Sequence, residues 1–176
     1  ARFAAAAEPP VRRGYVVAGR LVPFKRIDLI IRACNQLAAP LKVIGRHGSD
    51  REHLIKLAGP TITFMTDVSD AEMPTELASA KAFLFASHED FGITPVEAMA
   101  AGTPVIAYKA GGALDYVHEG ASGAFFADQS VDSLVATIKS TENMHFDPAT
   151  VRAQAQAFTP EVFRQKLQDF ITKISQ

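Results

Sequence analysis

Two glutamates with seven residues between them, Glu89 and Glu97, stand in the run Ser87-His88-Glu89-Asp90-Phe91-Gly92-Ile93-Thr94-Pro95-Val96-Glu97. Gly92 lies in a loop and Pro95 at the start of a stretch with helical period. The peptide N–H groups of that first turn have no intrahelical acceptor and sit at the positive end of the helix dipole, where a phosphate can dock. Glu89 falls in the loop and Glu97 in the first helical turn, so both carboxylates can face one cleft. Carboxylates so placed accept hydrogen bonds from sugar hydroxyls and need not be an acid and base pair. Each also has a plainer reading: Glu97 as an acidic residue favoured by the dipole, Glu89 as a solvated loop charge.

A second group is cationic. Gly19-Arg20-Leu21-Val22-Pro23-Phe24-Lys25-Arg26 follows an apolar run and precedes a helical one. Arg as a planar fork and Lys as a point charge can clamp an anion, with phosphate the first candidate. A solvated basic loop fits the same residues, and neither a Walker pattern nor G-x-G-x-x-G is present. Gly45-Arg46-His47-Gly48 is a glycine-flanked turn into a helix capped by Ser49 or Asp50. It can bring peptide N–H groups close to a ligand, and His47 reads as a surface residue rather than an acid or base. Lys109-Ala110-Gly111-Gly112 leads into a helix carrying Asp115. That turn permits close backbone approach, or simply supplies a connection that needs positive φ. No cluster has metal-ligand spacing.

The elements that must position these residues follow from hydrophobic pattern. Apolar, β-branched or aromatic runs at Tyr15–Gly19, Leu41–Gly45, Thr61–Met65, Ala82–Ala86, Val105–Tyr108 and Gly123–Phe126 alternate with stretches of helical period. Most runs are apolar throughout, as strands covered on both faces should be. The expected fold is α/β: a Rossmann-like, doubly wound parallel sheet of about six strands with helices on both faces and C-terminal helices. In such sheets ligands bind past the carboxyl ends of the strands, and the groups above all stand there. The tail from Val131 onward is helical, divided at Phe158-Thr159-Pro160, where Thr159 suits an N-cap and Pro160 the first turn. Phe163, Leu167, Phe170, Ile171 and Ile174 then form one apolar stripe.

Composition sets limits. A chain of 176 residues buries roughly 70% of its unfolded surface, enough for one core without staples. Eighteen Lys+Arg against nineteen Asp+Glu leave no polybasic footprint, which argues against nucleic acid as a partner. The single Cys34 excludes an internal disulfide and multi-thiolate metal sites, and favours a cytoplasmic setting. No apolar run approaches the ~18 residues needed to span a bilayer. Residues 1–14, rich in Ala and Pro and containing Glu8-Pro9-Pro10, read as a linker from a further N-terminal domain. Residues 15–176 read as one domain.

Taken together, the residues from about Tyr15 to the end resemble the C-terminal, donor-binding domain of retaining GT-B glycosyltransferases, glycosyltransferase family four. The block from Glu89-Asp90-Phe91-Gly92 through Glu97-Ala98-Met99-Ala100-Ala101-Gly102-Thr103-Pro104 resembles the family's E-x7-E signature and the helix after it, and Gly19-Arg20-Leu21 with Lys25 resembles its diphosphate clamp. The resemblance implies that Arg20, Lys25 and Glu89 are the catalytic set, with Arg20 and Lys25 on the pyrophosphate and Glu89 on the donor sugar. It implies that Phe91, Gly92 and Ile93 offer main-chain contacts near sugar and phosphate, that Gly19 and Thr94 join them, and that Glu97 holds the ribose hydroxyls. Gly45 and Val68 belong to loops beside the nucleoside. Two positions depart from the family: Thr66 where glycine is frequent, and Asp115 where glutamate is usual, so Asp115 takes no role.

The implied activity is transfer of a hexose, with mannose favoured, from a nucleotide-diphosphate sugar to an acceptor with retention, in cell-surface polysaccharide or glycolipid synthesis. GDP-mannose is the favoured donor and a UDP-sugar the other; no cofactor and no metal is implied. The acceptor would be selected by the N-terminal domain, through which peripheral association with the inner face of the membrane is expected. A related sugar-nucleotide epimerase and a non-catalytic sugar-nucleotide-binding module are the alternatives; Arg20, Lys25, Glu89 and Glu97 together weigh for transfer.

Overall fold

The computed structural model describes residue 3 and residues 11–175. Six short strands, β1 (Tyr15–Ala18), β2 (Leu41–Ile44), β3 (Ile62–Met65), β4 (Ala82–Phe85), β5 (Val105–Tyr108) and β6 (Gly123–Phe126), form one sheet in the order β3-β2-β1-β4-β5-β6. Every pairing is parallel, with Tyr15 opposite both Leu41 and Ala82, and Phe83 opposite Val105. The strand order reverses between β1 and β4, which is the switch point of a doubly wound sheet. The expected α/β fold is the fold found.

Alternate strand residues feed two cores, because successive side chains point to opposite faces. Val17, Leu84 and Ile106 meet Leu29, Ile30, Leu54, Leu134 and Ile138 from α1 (Ile27–Gln36), α2 (Arg51–Leu57) and α6 (Val131–Thr141) on one face. Val16, Phe83, Phe85 and Val105 meet Leu77, Met99, Tyr116 and Val151 on the other, from α3 (Met73–Ala78), α4 (Ile93–Ala100), α5 (Ala113–Tyr116) and α7 (Pro148–Ala155). Strands β1, β2 and β4 stop one residue short of the expected runs, leaving Gly19, Gly45 and Ala86 in the loops beyond.

The helix ends show which expected caps form. Asp50 occupies the cap of α2 without a side-chain hydrogen bond, whereas Thr159 caps α8 (Pro160–Ile174) by accepting from the Val162 N–H. Helix α8 buries no residue, and its stripe of Phe163, Leu167, Phe170, Ile171 and Ile174 is exposed. Most of the expected linker lies outside the described residues. Within it, Phe3 packs against the second core and the Arg12 guanidinium donates to Thr103 Oγ1 at 2.7 Å.

Candidate functional site

The switch point places the β1 and β4 loops side by side at the carboxyl edge of the sheet. Past β1 the chain turns through Gly19 and a short 3-10 turn at Pro23–Lys25, then enters α1 from Arg26, which is held at φ 51°. Arg26 spends its guanidinium on Asp28 and on Gln129 Oε1, each at 3.3 Å. Of the loop's two other cations, Lys25 meets Glu89 and lines the cleft, whereas Arg20 does not line it. Arg20 is exposed, and its side chain makes no hydrogen bond or ion pair among the described residues. Lys25 is not free: its Nζ lies 2.6 Å from both carboxylate oxygens of Glu89, with the two side chains about a fifth exposed.

Glu89 is held from a second side by the hydroxyl of Ser87, which donates to Oε1 and is itself buried. The β4 loop is fixed from beneath as well, since Gln129 Nε2 donates to the Ala86 carbonyl at 2.7 Å. Gln129 therefore ties together the Arg26 side of the β1 loop and the base of the β4 loop. The loop is also pinned laterally, because the Gly112 N–H donates to the Glu89 carbonyl at 2.8 Å. A Cβ on Gly112 would stand 2.3 Å from the Asp90 carbonyl oxygen, so the Gly111-Gly112 turn is needed for close backbone approach.

Helix α4 begins at Ile93 after Gly92, whose φ of 86° and ψ of 84° favour glycine. One small cleft of about 20 Å³ is lined by Lys25, Ser87, Gly92, Ile93, Thr94 and Pro95, with Val17, Ala18 and Phe85 among its floor. Ammonium, hydroxyl and open helix N-terminus thus converge on one place, and all three can donate to an anion. The larger cavity, about 430 Å³, lies at the amino edge of the sheet around Arg12, Tyr15, Lys81 and His145, and contains none of the residues selected from sequence. Convergence of donors at the switch point, rather than volume, makes this the candidate site.

The other selected residues take separate places. Gly19 stands beside Lys25, whose Cε is 4.0 Å from where a Gly19 Cβ would be. Gly45 packs on Gly19, its would-be Cβ 2.4 Å from the Gly19 carbonyl oxygen, so it locks the β1 and β2 loops together. The Leu21 N–H donates to the His47 carbonyl across the same junction, and His47 is exposed as expected. Val68 is half-buried against the second core, and Glu97 is half-buried on α4 in its second turn rather than the expected first, because the helix begins at Ile93, ahead of Pro95. The Phe91 ring packs away from any polar role, edge-on to Tyr116 at 6.1 Å and tilted on Phe158 at 5.6 Å. Thr66 and Arg46 meet at Asp67, whose carboxyl their hydrogen bonds hold below its ordinary range.

Three residues were not selected from sequence as site groups. Ser87 had a weak signal, two positions before Glu89. Gln129 and Tyr116 had none, since each reaches the site from a distant element. Tyr116 is wholly buried beneath Gly92, and burial, with the Glu89 and Asp115 carboxylates adding to it, pushes its phenol pKa up. Among the described residues there is no group of three or more His, Cys, Asp or Glu fit to hold a metal ion.

Residues 4–157 match the family described as glycosyl transferases group 1. A D-inositol 3-phosphate glycosyltransferase of Mycolicibacterium gilvum is 33% identical over 152 residues, covering 80% of this chain and 34% of that protein. Among solved structures, sucrose-phosphate synthase from Thermosynechococcus elongatus superposes with a TM-score of 0.79 at 24% identity, over 94% of this chain and 46% of that one. HepE of Anabaena, in complex with UDP-glucose, superposes with a TM-score of 0.76 at 22% identity, over 92% and 49%. The chain therefore spans about a third of the length of this curated relative and just under half of these solved chains. With the family's match running through both loops that build the cleft, the chain belongs to the group 1 glycosyl transferases.

Proposed function

We propose that this chain is the donor-binding part of a retaining hexosyltransferase that uses a nucleotide-diphosphate sugar. The observation that carries the reading is the meeting of Lys25, Glu89 and the open N-terminus of α4 at the switch point. A diphosphate fits the donors: Arg20 and Lys25 take its charge and the first-turn N–H groups take its oxygens. A sugar beyond it meets Glu89, an acceptor for hydroxyls. Glu97, one helical turn further on, serves the ribose, and Gly45 and Val68 border the nucleoside. Residues 1–14 would then be the connection to an acceptor-binding domain, and residues 15–176 the donor domain.

During transfer the bond between the anomeric carbon and the diphosphate oxygen breaks with its electron pair going to the diphosphate. The acceptor hydroxyl oxygen bonds to the anomeric carbon from the face that the diphosphate leaves, and its proton passes to the departing diphosphate oxygen. Arg20 and Lys25 lower the barrier by offsetting charge that grows on the departing group. GDP-mannose is the first donor candidate from the likeness of the Asp90–Glu97 stretch to mannosyltransferases of polysaccharide assembly. UDP-sugars stand beside it, since HepE is described with UDP-glucose. The acceptor would be a polysaccharide or glycolipid precursor, met in the cytoplasm at the inner face of the membrane. Calorimetric titration with GDP, UDP, GDP-mannose and UDP-glucose tests the donor reading: saturable binding of a nucleotide diphosphate and its sugar is expected, and binding of none would overturn it.

A further inference from the structure

The geometry points to Tyr116 as a positioning residue of the donor site, its phenol O–H held for the Phe91 carbonyl when a nucleotide diphosphate docks at the N-terminus of α4. The inference rests on the donor-site reading above and adds a residue that the reading did not contain. Tyr116 is 0% exposed, and its hydroxyl has no hydrogen-bond partner among the described residues. Burying a hydroxyl without a partner is costly, so an orphan of this kind calls for a reason.

Its place supplies one. A methyl group on Gly92 would stand 2.8 Å from the Tyr116 oxygen, so the phenol lies close against the glycine main chain that lines the cleft. In a trans peptide the N–H and C=O point in opposite directions. For the Gly92 N–H to face a diphosphate in the cleft, the Phe91 C=O must turn inward, toward Tyr116. A carbonyl turned into the core requires a donor, and a tyrosine hydroxyl is one. Gly92 has the freedom for that turn: at φ 86° and ψ 84° it occupies a region that residues with a Cβ rarely adopt. The ring itself is fixed, packed edge-on against Phe91 at 6.1 Å and Phe158 at 6.0 Å. Tyr116 is thus a rigid donor beneath the Gly92 turn.

Tyr116→Phe removes one oxygen and keeps the ring. The variant is expected to unfold at the same or a higher temperature than the parent, since it loses an orphan, and to bind UDP or GDP roughly three- to tenfold more weakly, since it loses one net hydrogen bond. A measurement on the unmutated chain stands beside it. With the ζ-carbon of tyrosine labelled, the chain's three tyrosines are expected to give three resonances, assigned through Tyr15→Phe and Tyr108→Phe. The third, Tyr116, is expected to shift on saturation with the nucleotide as its hydroxyl gains an acceptor, a change that ring packing alone would not produce. Lys25→Ala is the control for the site. If Lys25→Ala weakens binding while Tyr116→Phe binds as the parent does and the resonance stays still, the role of Tyr116 is overturned and the donor site stands. If the parent binds neither nucleotide, the donor-site reading falls and this inference with it.

Discussion

Lys25 holds both oxygens of Glu89 at 2.6 Å, so a diphosphate that takes its ammonium must take it from a carboxylate. With both side chains only about a fifth exposed, the pair is shielded from solvent, and a diphosphate competes with Glu89 for the Lys25 ammonium. It follows that Glu89→Gln should leave affinity for GDP or UDP unchanged or raised, because Lys25 is released, while sugar transfer by the complete protein falls. Glu97→Ala should weaken nucleotide and nucleotide-sugar alike. Titration of both variants with both nucleotides checks the division of roles, and equal losses in the two would contradict it. At this scale the sequence shows residue types but not partners. Arg20, Lys25, Glu89 and Glu97 were legible as cations after a strand and carboxylates around a helix start. The Lys25–Glu89 pair joins positions 64 residues apart, and the orphan hydroxyl of Tyr116 depends on packing that no spacing reveals.

The elements divide into those that hold the cleft and one that does not. Gly92→Ala would put a Cβ at positive φ, 2.8 Å from the Tyr116 oxygen and 2.9 Å from Phe85 Cζ. A loss of about 2 kcal/mol or more in chemical denaturation is expected, with the slope unchanged. Helix α8 is the opposite case, since it buries no residue. A chain ending after Thr159 should keep its cooperative unfolding and its midpoint to within a few degrees, a change of roughly 1 kcal/mol or less; a collapse of the transition would show that α8 supports the core. The strands were legible because both sheet faces are covered, which makes their sequences apolar runs rather than alternations. The stripe on α8 was equally legible, but periodicity does not say whether a stripe is covered. The loops were read least well: glycine signals marked Gly19, Gly45 and Gly92, yet the contact of Gly45 on Gly19 needs the β1 and β2 loops side by side.

For the whole molecule, the six-strand order brings the β1 and β4 loops together at the one place where the sheet reverses. The relative and the solved chains that superpose are about two to two and a half times as long as this chain, and on the proposed reading a further domain positions the acceptor. Orientation supplies several kcal/mol of a transfer barrier. The 176-residue chain should therefore bind a nucleotide diphosphate without measurable transfer, while the complete protein transfers; turnover by the chain alone, followed as release of nucleotide diphosphate with acceptor present, would contradict this. The central claim, that the loops past β1 and β4 form a diphosphate-sugar site, is tested most directly by calorimetric titration of UDP and GDP into the chain and into its Arg20→Ala/Lys25→Ala variant. The expected result is saturable binding of at least one nucleotide by the parent and a loss of tenfold or more in the folded variant, as removal of charged hydrogen bonds requires. Undiminished affinity in the folded variant would contradict the claim.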